Sequence, residues 1–435
     1  MAIVIVGMLD EREDVLTIIK DQVEKKGHKP LLIDISFGSG AIVPSLDPDV
    51  SCEELVGLAG GTIEGMKGML ANKRVKATLV VAEGLKKKVV ELHEAGELEG
   101  IIAIGGMTGT LLSLPAMKAL PFGVPKLLIS SAAAMPAHSG TFSEYFGLRD
   151  ITVMHTVVDT VGMNHFVETL AVNGANAISG MAEKGEISTK VNRLSIAITE
   201  YGFCEKGAHY LREILEKEYD VVSFHANGTG DRAALDFVRQ GYFKAFIDLV
   251  PSSFGEYLLG GNRISGPDRF DPMMDLPMPY IVTPCGFEML GCGPAERRDK
   301  GDPFWESKKQ TERKLFFQDA ARVFARTNAE EMEQVARAVA ERLNRSKHKS
   351  MVKFLIPRTG FSALSTPGGP LYDPPSDEAF IAALKADLDS QIEILEVDAD
   401  INSREFACAA ARALTEAWSA EVKSVPARVS LAPEG

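Results

Sequence analysis

The sequence predicts an α/β protein made of two doubly wound, mostly parallel-sheet domains that face a central cleft. Three observations carry this reading. Short β-branched runs alternate with longer amphipathic stretches along the chain, the pattern of β-α units on a parallel sheet. Those runs are apolar on both faces, which calls for helices above and below each sheet. At 435 residues the chain exceeds what one ordinary core accommodates.

The elements follow in order. "AIVIVG" opens as a strand, and after a polar turn "EDVLTIIKDQVEKKG" reads as a helix closed by Gly27. "KPLLIDIS" is a second strand, 63–73 a helix, "ATLVVA" a short strand and 86–95 a helix. "GIIAIGG", "VPKLLISS" and "ITVMHTVVD" complete the first series as strands. A second series starts near residue 193, with strands at "LSIAITEYG", "DVVSFHANGTG", "YFKAFIDLVP", "MPYIVTPCG", "MVKFLIPRTG" and "IEILEVDA". Its helices are expected over 206–218, 231–240, 329–344, 377–388 and 403–418. The polar "AEKGEISTKVN" separates the series, which gives domains at 1–187 and 188–424, a linker at 183–192 and an irregular tail at 425–435.

The halves resemble each other in plan. "GIIAIGGMTGTLLSL" pairs with "KAFIDLVPSSFGEYLLGG", and "VPKLLISSAAAMP" with "MPYIVTPCGFEML". Each half would present its strand carboxyl ends to the cleft, where open α/β sheets bind ligands.

Composition narrows the function classes. Hydrophobic residues at 45% and charged residues at 25% describe a soluble globular chain, and no stretch approaches the roughly 18 apolar residues of a membrane span. The N-terminus enters a strand without a basic leader, so a cytoplasmic location is expected. A formal charge of −13 argues against a nucleic-acid partner, and the basic run in "EGLKKKVVEL" reads as the solvated face of a helix. Five scattered cysteines (52, 204, 285, 292, 408) make no disulfide framework, and Cys285 and Cys292 lack metal-ligand spacing.

Four segments could carry chemistry. "GGMTGT" ends a strand and enters a helix, aiming backbone N–H groups of Gly105, Gly106 and Gly109 and the hydroxyls of Thr108 and Thr110 at a helix N-terminus, a place for phosphate or carboxylate. A tight turn filled with small residues for packing is the bland alternative. "FHANGTGDR" repeats the device: Gly228, Thr229 and Gly230 could nest an anion beside Asn227, and His225 could act as acid or base. Here the bland reading makes Asp231 an N-cap and His225 a strand-end residue. In "IDLVPSSFGEYLLGG", Asp248, Ser252, Ser253 and Glu256 lie at a strand end and a first helical turn, where carboxylates could meet Mg²⁺ or a sugar, or merely complement a helix dipole. The long loop "PRTGFSALSTPGGPLYDPP" offers Arg358 as an anion clamp with Thr359, Gly360 and Ser362, against a plain salt bridge to a neighbouring acid. His155 and Asp159 lack a third metal ligand, Cys285 lacks an identified base, and no Gly-x-Ser-x-Gly elbow is present.

Together "GIIAIGGMTGTLLSLPAMKALPFGVPKLLISSAAA", "VVDTVGMN", "FHANGTGDRA", "IDLVPSSFGEYLLGG" and "RTGFSAL" with "PGGPLYDP" resemble the ATP-binding domain family of the tomato mosaic virus resistance protein, with its bacterial and fungal relatives, over roughly 1–420. The resemblance implies two α/β subdomains, a homodimer, and a nucleotide in the N-terminal subdomain. It also implies, as a partner, a separate polypeptide with the phosphoenolpyruvate-hydrolase-like TIM barrel that larger members carry. The chain departs from the plant pattern at "LDER": Asp10 fits, while Glu11 stands where a lysine would meet phosphate.

The leading expectation is therefore a protein that binds a phosphorylated small molecule, ATP with Mg²⁺. Gly105, Gly106, Thr108, Gly109 and Thr110 would cradle the phosphates, Ser130 and Ser131 would add hydroxyls, and Gly7 and Asp10 would border the site. Two alternatives stay open. One is an enzyme acting on a small carboxylated or phosphorylated metabolite in the cleft, with Arg358 as clamp and His225 or Glu256 moving protons. The other is a regulatory or interaction module whose cleft closes on a ligand.

Overall fold

The computed structural model describes residues 1–38, 42–70, 72–183 and 193–424. The expected tail at 425–435, and all but the first residue of the expected linker, lie outside the described residues. The chain divides into two compact units, Met1–Ser188 and Thr189–Gly435.

The N-terminal unit is built on β1 (Ala2–Gly7), β2 (Lys29–Asp34), β3 (Leu98–Gly105), β4 (Lys126–Ser130) and β5 (Thr152–His155). They form one sheet in the order β2-β1-β3-β4-β5, with every pairing parallel. Alternate side chains of β1 explain why both faces need cover. Ile3 and Ile5 pack with the helices Leu9–Lys25 and His165–Ala182, whereas Val4 and Val6 pack with Cys52–Leu58, Arg74–Glu94 and Met107–Ala119. The expected strand "ATLVVA" is instead part of the helix Arg74–Glu94. Its buried Ala77 and Val81 continue into Leu85, Val89 and Leu92 at helical spacing, so the short apolar run belongs to a longer amphipathic period.

The C-terminal unit contributes β6 (Ser195–Glu200), β7 (Asp220–His225), β8 (Ala245–Asp248) and β9 (Tyr280–Val282). There follow β10 (Met289–Gly293), β11 (Leu315–Phe317), β12 (Val323–Arg326), β13 (Val352–Pro357) and β14 (Glu393–Val397). Six of these form a parallel sheet, β14-β13-β9-β8-β6-β7, while β10, β12 and β11 make a small antiparallel sheet that the sequence reading does not foresee.

Counted from the first strand of each unit, both parallel sheets run second, first, third, fourth, fifth, and the C-terminal one adds a sixth. β3 is thus the counterpart of β8, and β4 of β9, as the paired sequence segments anticipate. In this winding the chain leaves the first strand in one direction and the third in the other. That opens a crevice at the carboxyl edge between β1 and β3, and another between β6 and β8.

No helix among the described residues is long and apolar enough to cross a membrane.

Candidate functional site

At the crevice of the N-terminal unit, β1 ends at Gly7 and β3 at Gly105. Both glycines serve close packing: a Cβ on Gly7 would lie 2.6 Å from Leu16 Cδ2, and one on Gly105 would lie 2.9 Å from Gly109 Cα. The helix Met107–Ala119 therefore starts hard against its strand. Gly106 is its N-cap residue, and no side chain caps it, which leaves first-turn N–H groups facing the crevice. A Cβ on Gly106 would sit 3.4 Å from Arg12 Nη2 and 3.8 Å from Ser131 Oγ. A guanidinium, a hydroxyl and an open helix end thus converge there.

Arg12 is the residue that sequence reasoning misses. In "LDEREDV" it looks like one more surface charge, yet it is 5% exposed. Its backbone leaves helical geometry (φ −137°, ψ 30°) and kinks the helix Leu9–Lys25. Arg12 Nε donates to Thr160 Oγ1 at 2.9 Å, Nη1 pairs with Glu11, and Nη2 lies 3.6 Å from the exposed Asp159.

The remaining N-terminal candidates divide. The Thr110 and Ser130 hydroxyls are fully buried and bonded to each other at 2.6 Å, and Ser130 Oγ also accepts the N–H groups of Ala132 and Ala133 at 3.0 Å, so both shape the loop from beneath. Among the described residues no hydrogen bond engages the hydroxyls of Thr108 or Ser131, and both are half-buried. Asp10 is 4% exposed, and its N–H donates to Ser36 Oγ at 3.1 Å. Asp34 anchors this corner by accepting from Leu9 N–H at 3.1 Å and Ser36 N–H at 3.0 Å, while burial pushes its carboxyl up. Among the described residues no group of three or more His, Cys, Asp or Glu is placed to hold a metal ion.

The C-terminal candidates are mostly bound up within their own unit. The Gly228 N–H donates to Asp231 and the Gly230 N–H to Asn227, each at 2.8 Å, so the expected anion nest before the helix Thr229–Arg239 is filled by its own side chains. Thr229 opens that helix, half-buried. Asp248 is fully buried: Thr199 Oγ1 donates to it at 2.6 Å, Tyr280 Oη at 2.7 Å and Arg269 Nη2 at 2.8 Å. Arg269 also donates through Nε to Asp231, at 3.1 Å. Ser252 is fully buried under Gly286, where a Cβ would come within 2.5 Å of the Ser252 Cβ. Ser362 is fully buried too, and Gly360 holds φ +153° against Thr366.

The expected catalytic trio does not assemble. Glu256 is 1% exposed and accepts from Arg263 Nε at 2.9 Å, Arg263 Nη2 at 2.7 Å, and the N–H groups of Asn262 and Gly291 at 2.8 Å. Arg358 is ion-paired with Glu378 at 3.1 Å and Glu396 at 3.3 Å, which is the bland alternative for it. His225 ends β7 and Arg358 follows β13, four strand spacings away in the sheet order and therefore roughly 19 Å apart. His225 and Asn227 line a cavity of their own, with Tyr201, Arg263 and Phe324. Cys285 is fully buried, and burial drives its thiol well up, which disfavours the nucleophilic thiolate.

Fold and site together define a two-domain α/β protein in which the same winding recurs in both units. The chain belongs to the uncharacterised protein family UPF0261. The N-terminal domain of that family matches residues 1–186, and its C-terminal domain residues 193–418. It is similar to a UPF0261 protein of Clostridium tetani, 32% identical over 414 residues, which spans 95% of this chain and 98% of that one. A UPF0261 protein of Rhizobium meliloti is 28% identical over 418 residues, 94% of this chain and 98% of its own. The ToMV resistance protein Tm-1(GCR237) of Solanum lycopersicum is 28% identical over 375 residues, covering 84% of this chain but 46% of the tomato protein.

Proposed function

We propose that the N-terminal unit binds a phosphorylated small molecule, ATP with Mg²⁺, in the crevice between β1 and β3. The observation that carries this is Arg12, a nearly buried guanidinium whose Nη2 approaches Gly106 at the uncapped start of the helix Met107–Ala119. A helix N-terminus and a guanidinium on one spot supply the two kinds of donor that phosphate oxygens take best. Thr108 and Ser131 would add hydroxyl contacts. Among phosphate esters, the sequence resemblance favours ATP.

The fit with Mg²⁺ follows from charge. Glu11 and Asp159 flank Arg12, so a bare polyphosphate would meet two carboxylates for one cation. Mg²⁺ is commonly held by one or two carboxylates together with substrate phosphates. Glu11 and Asp159 are the residues that would face a metal brought in by the nucleotide, and its charge would offset theirs.

Isothermal titration with Mg²⁺-ATP tests the reading, with Gly106→Val run in parallel. Wild-type binding that the valine abolishes is the expected result, because the added side chain grows toward Arg12 Nη2 and Ser131 Oγ. Absence of binding by the wild type would refute it.

A further inference from the structure

A cavity of about 420 Å³ lies wholly within the C-terminal unit, where the turn after β6, the end of β7 and strand β12 meet. Its volume falls in the range of small-molecule sites. Three aromatic side chains, Tyr201, Phe203 and Phe324, supply apolar walls. Phe203 meets Tyr201 and Phe324 edge-on, at centroid distances of 5.3 and 5.4 Å, so the walls brace one another.

Arg263 is the polar group fixed within these walls. Its guanidinium carbon lies 4.8 Å from the Phe324 ring centroid and 5.7 Å from that of Tyr201. Nε and Nη2 both donate to Glu256, which is itself held by two backbone N–H groups. Among the described residues no hydrogen bond engages Nη1, the third nitrogen of the fork. A guanidinium locked on two sides and stacked on rings offers its remaining arm at a fixed position, so little ordering entropy is lost on binding.

Charge decides which anion fits. Arg263 is matched by Glu256, and Arg322, also lining the cavity, is matched by Asp319 at 2.7 Å. The cavity thus provides directed donors with almost no net positive field. That suits one delocalised negative charge and disfavours a polyphosphate.

We propose that this cavity is a second small-molecule site, for a monocarboxylate with an aromatic body. The ring lies against Phe203 and Phe324, and the carboxylate takes Arg263 Nη1. The site is independent of nucleotide binding in the N-terminal unit, and either reading can fail alone.

Removing Arg263 would strand the buried Glu256, so the test uses a plug. Gly202 lines the cavity, and a Cβ there meets no atom within 4 Å. Gly202→Trp should block the mouth and leave the circular dichroism and melting temperature unchanged. Benzoate titrated into the full chain should bind with a dissociation constant on the order of a millimolar. Benzamide, the neutral analogue, should bind about tenfold more weakly or worse. Gly202→Trp should lose benzoate. No benzoate binding, equal binding by the variant, or equal binding of benzamide would each overturn the proposal.

Discussion

The two crevices have the same topology, yet their buried arginines do different work. In the C-terminal unit Arg269 is fully buried and lies between Asp248 and Asp231, at 2.8 and 3.0 Å, so two carboxylates inside the core absorb its charge. In the N-terminal unit Arg12 has its acids at the rim, where the Glu11 and Asp159 side chains are 33% and 73% exposed, and its Nη2 comes close to an uncapped helix start. In the C-terminal unit the glycine-rich loop after β7 has its Gly228 and Gly230 N–H groups capped by Asp231 and Asn227. A cation enclosed by its own acids fastens the fold, whereas a cation whose acids remain in solvent can exchange them for a ligand.

The largest expected effect falls on the enclosed arginine. Arg269→Met strands two buried carboxylates and should destabilise the protein by about 3–5 kcal/mol in denaturant unfolding. A loss below about 1 kcal/mol would break the contrast. Arg12→Ala comes next: it should weaken Mg²⁺-ATP binding about 10- to 100-fold by calorimetry, while lowering stability by only about 1 kcal/mol. Neighbouring glycines sharpen the picture further. Gly105→Ala drives a Cβ to 2.9 Å from Gly109 Cα and should lower stability by about 1–3 kcal/mol, while Gly106→Ala should change stability by less than about 0.5 kcal/mol and act on ligand binding instead.

A separate effect is a pH dependence centred on Asp377 in the C-terminal unit. Burial pushes the Asp377 carboxyl up to about 7 although Arg326 lies 2.5 Å away. A carboxyl whose folded pKa is raised binds more protons folded than unfolded, so its contribution is fully present below the unfolded value near 4 and is lost as pH rises through about 7. Unfolding free energy should therefore fall by about 1 kcal/mol between pH 6 and pH 8, and Asp377→Asn should flatten that slope.

The strands were legible wherever an apolar run stood alone, as in "AIVIVG" and "MVKFLI", because strands covered on both faces are apolar at every position. "ATLVVA" misleads for the same reason, since six residues cannot display the helical period that twenty-one reveal. The helix His165–Ala182 is masked by its glycines: Gly174 looks like a breaker, yet a Cβ there would reach 2.4 Å from Ile129 Cδ1, so the helix needs it to approach the sheet. At the site, the glycine loop was readable from the strand-to-helix transition. Arg12 was not, because its burial depends on a helix kink and on Thr160, 148 residues away in sequence. The C-terminal loops carried similar small polar residues, and nothing local distinguishes a glycine left uncapped, such as Gly106, from glycines capped by neighbouring side chains, such as Gly228 and Gly230.

The most direct test of the contrast is amide hydrogen exchange measured by mass spectrometry with and without Mg²⁺-ATP. Slowed exchange is expected in peptides covering 106–110, with no change over 228–232, where Asp231 and Asn227 already hold the Gly228 and Gly230 N–H groups. Protection confined to 228–232, or to neither stretch while ATP is bound, would contradict it.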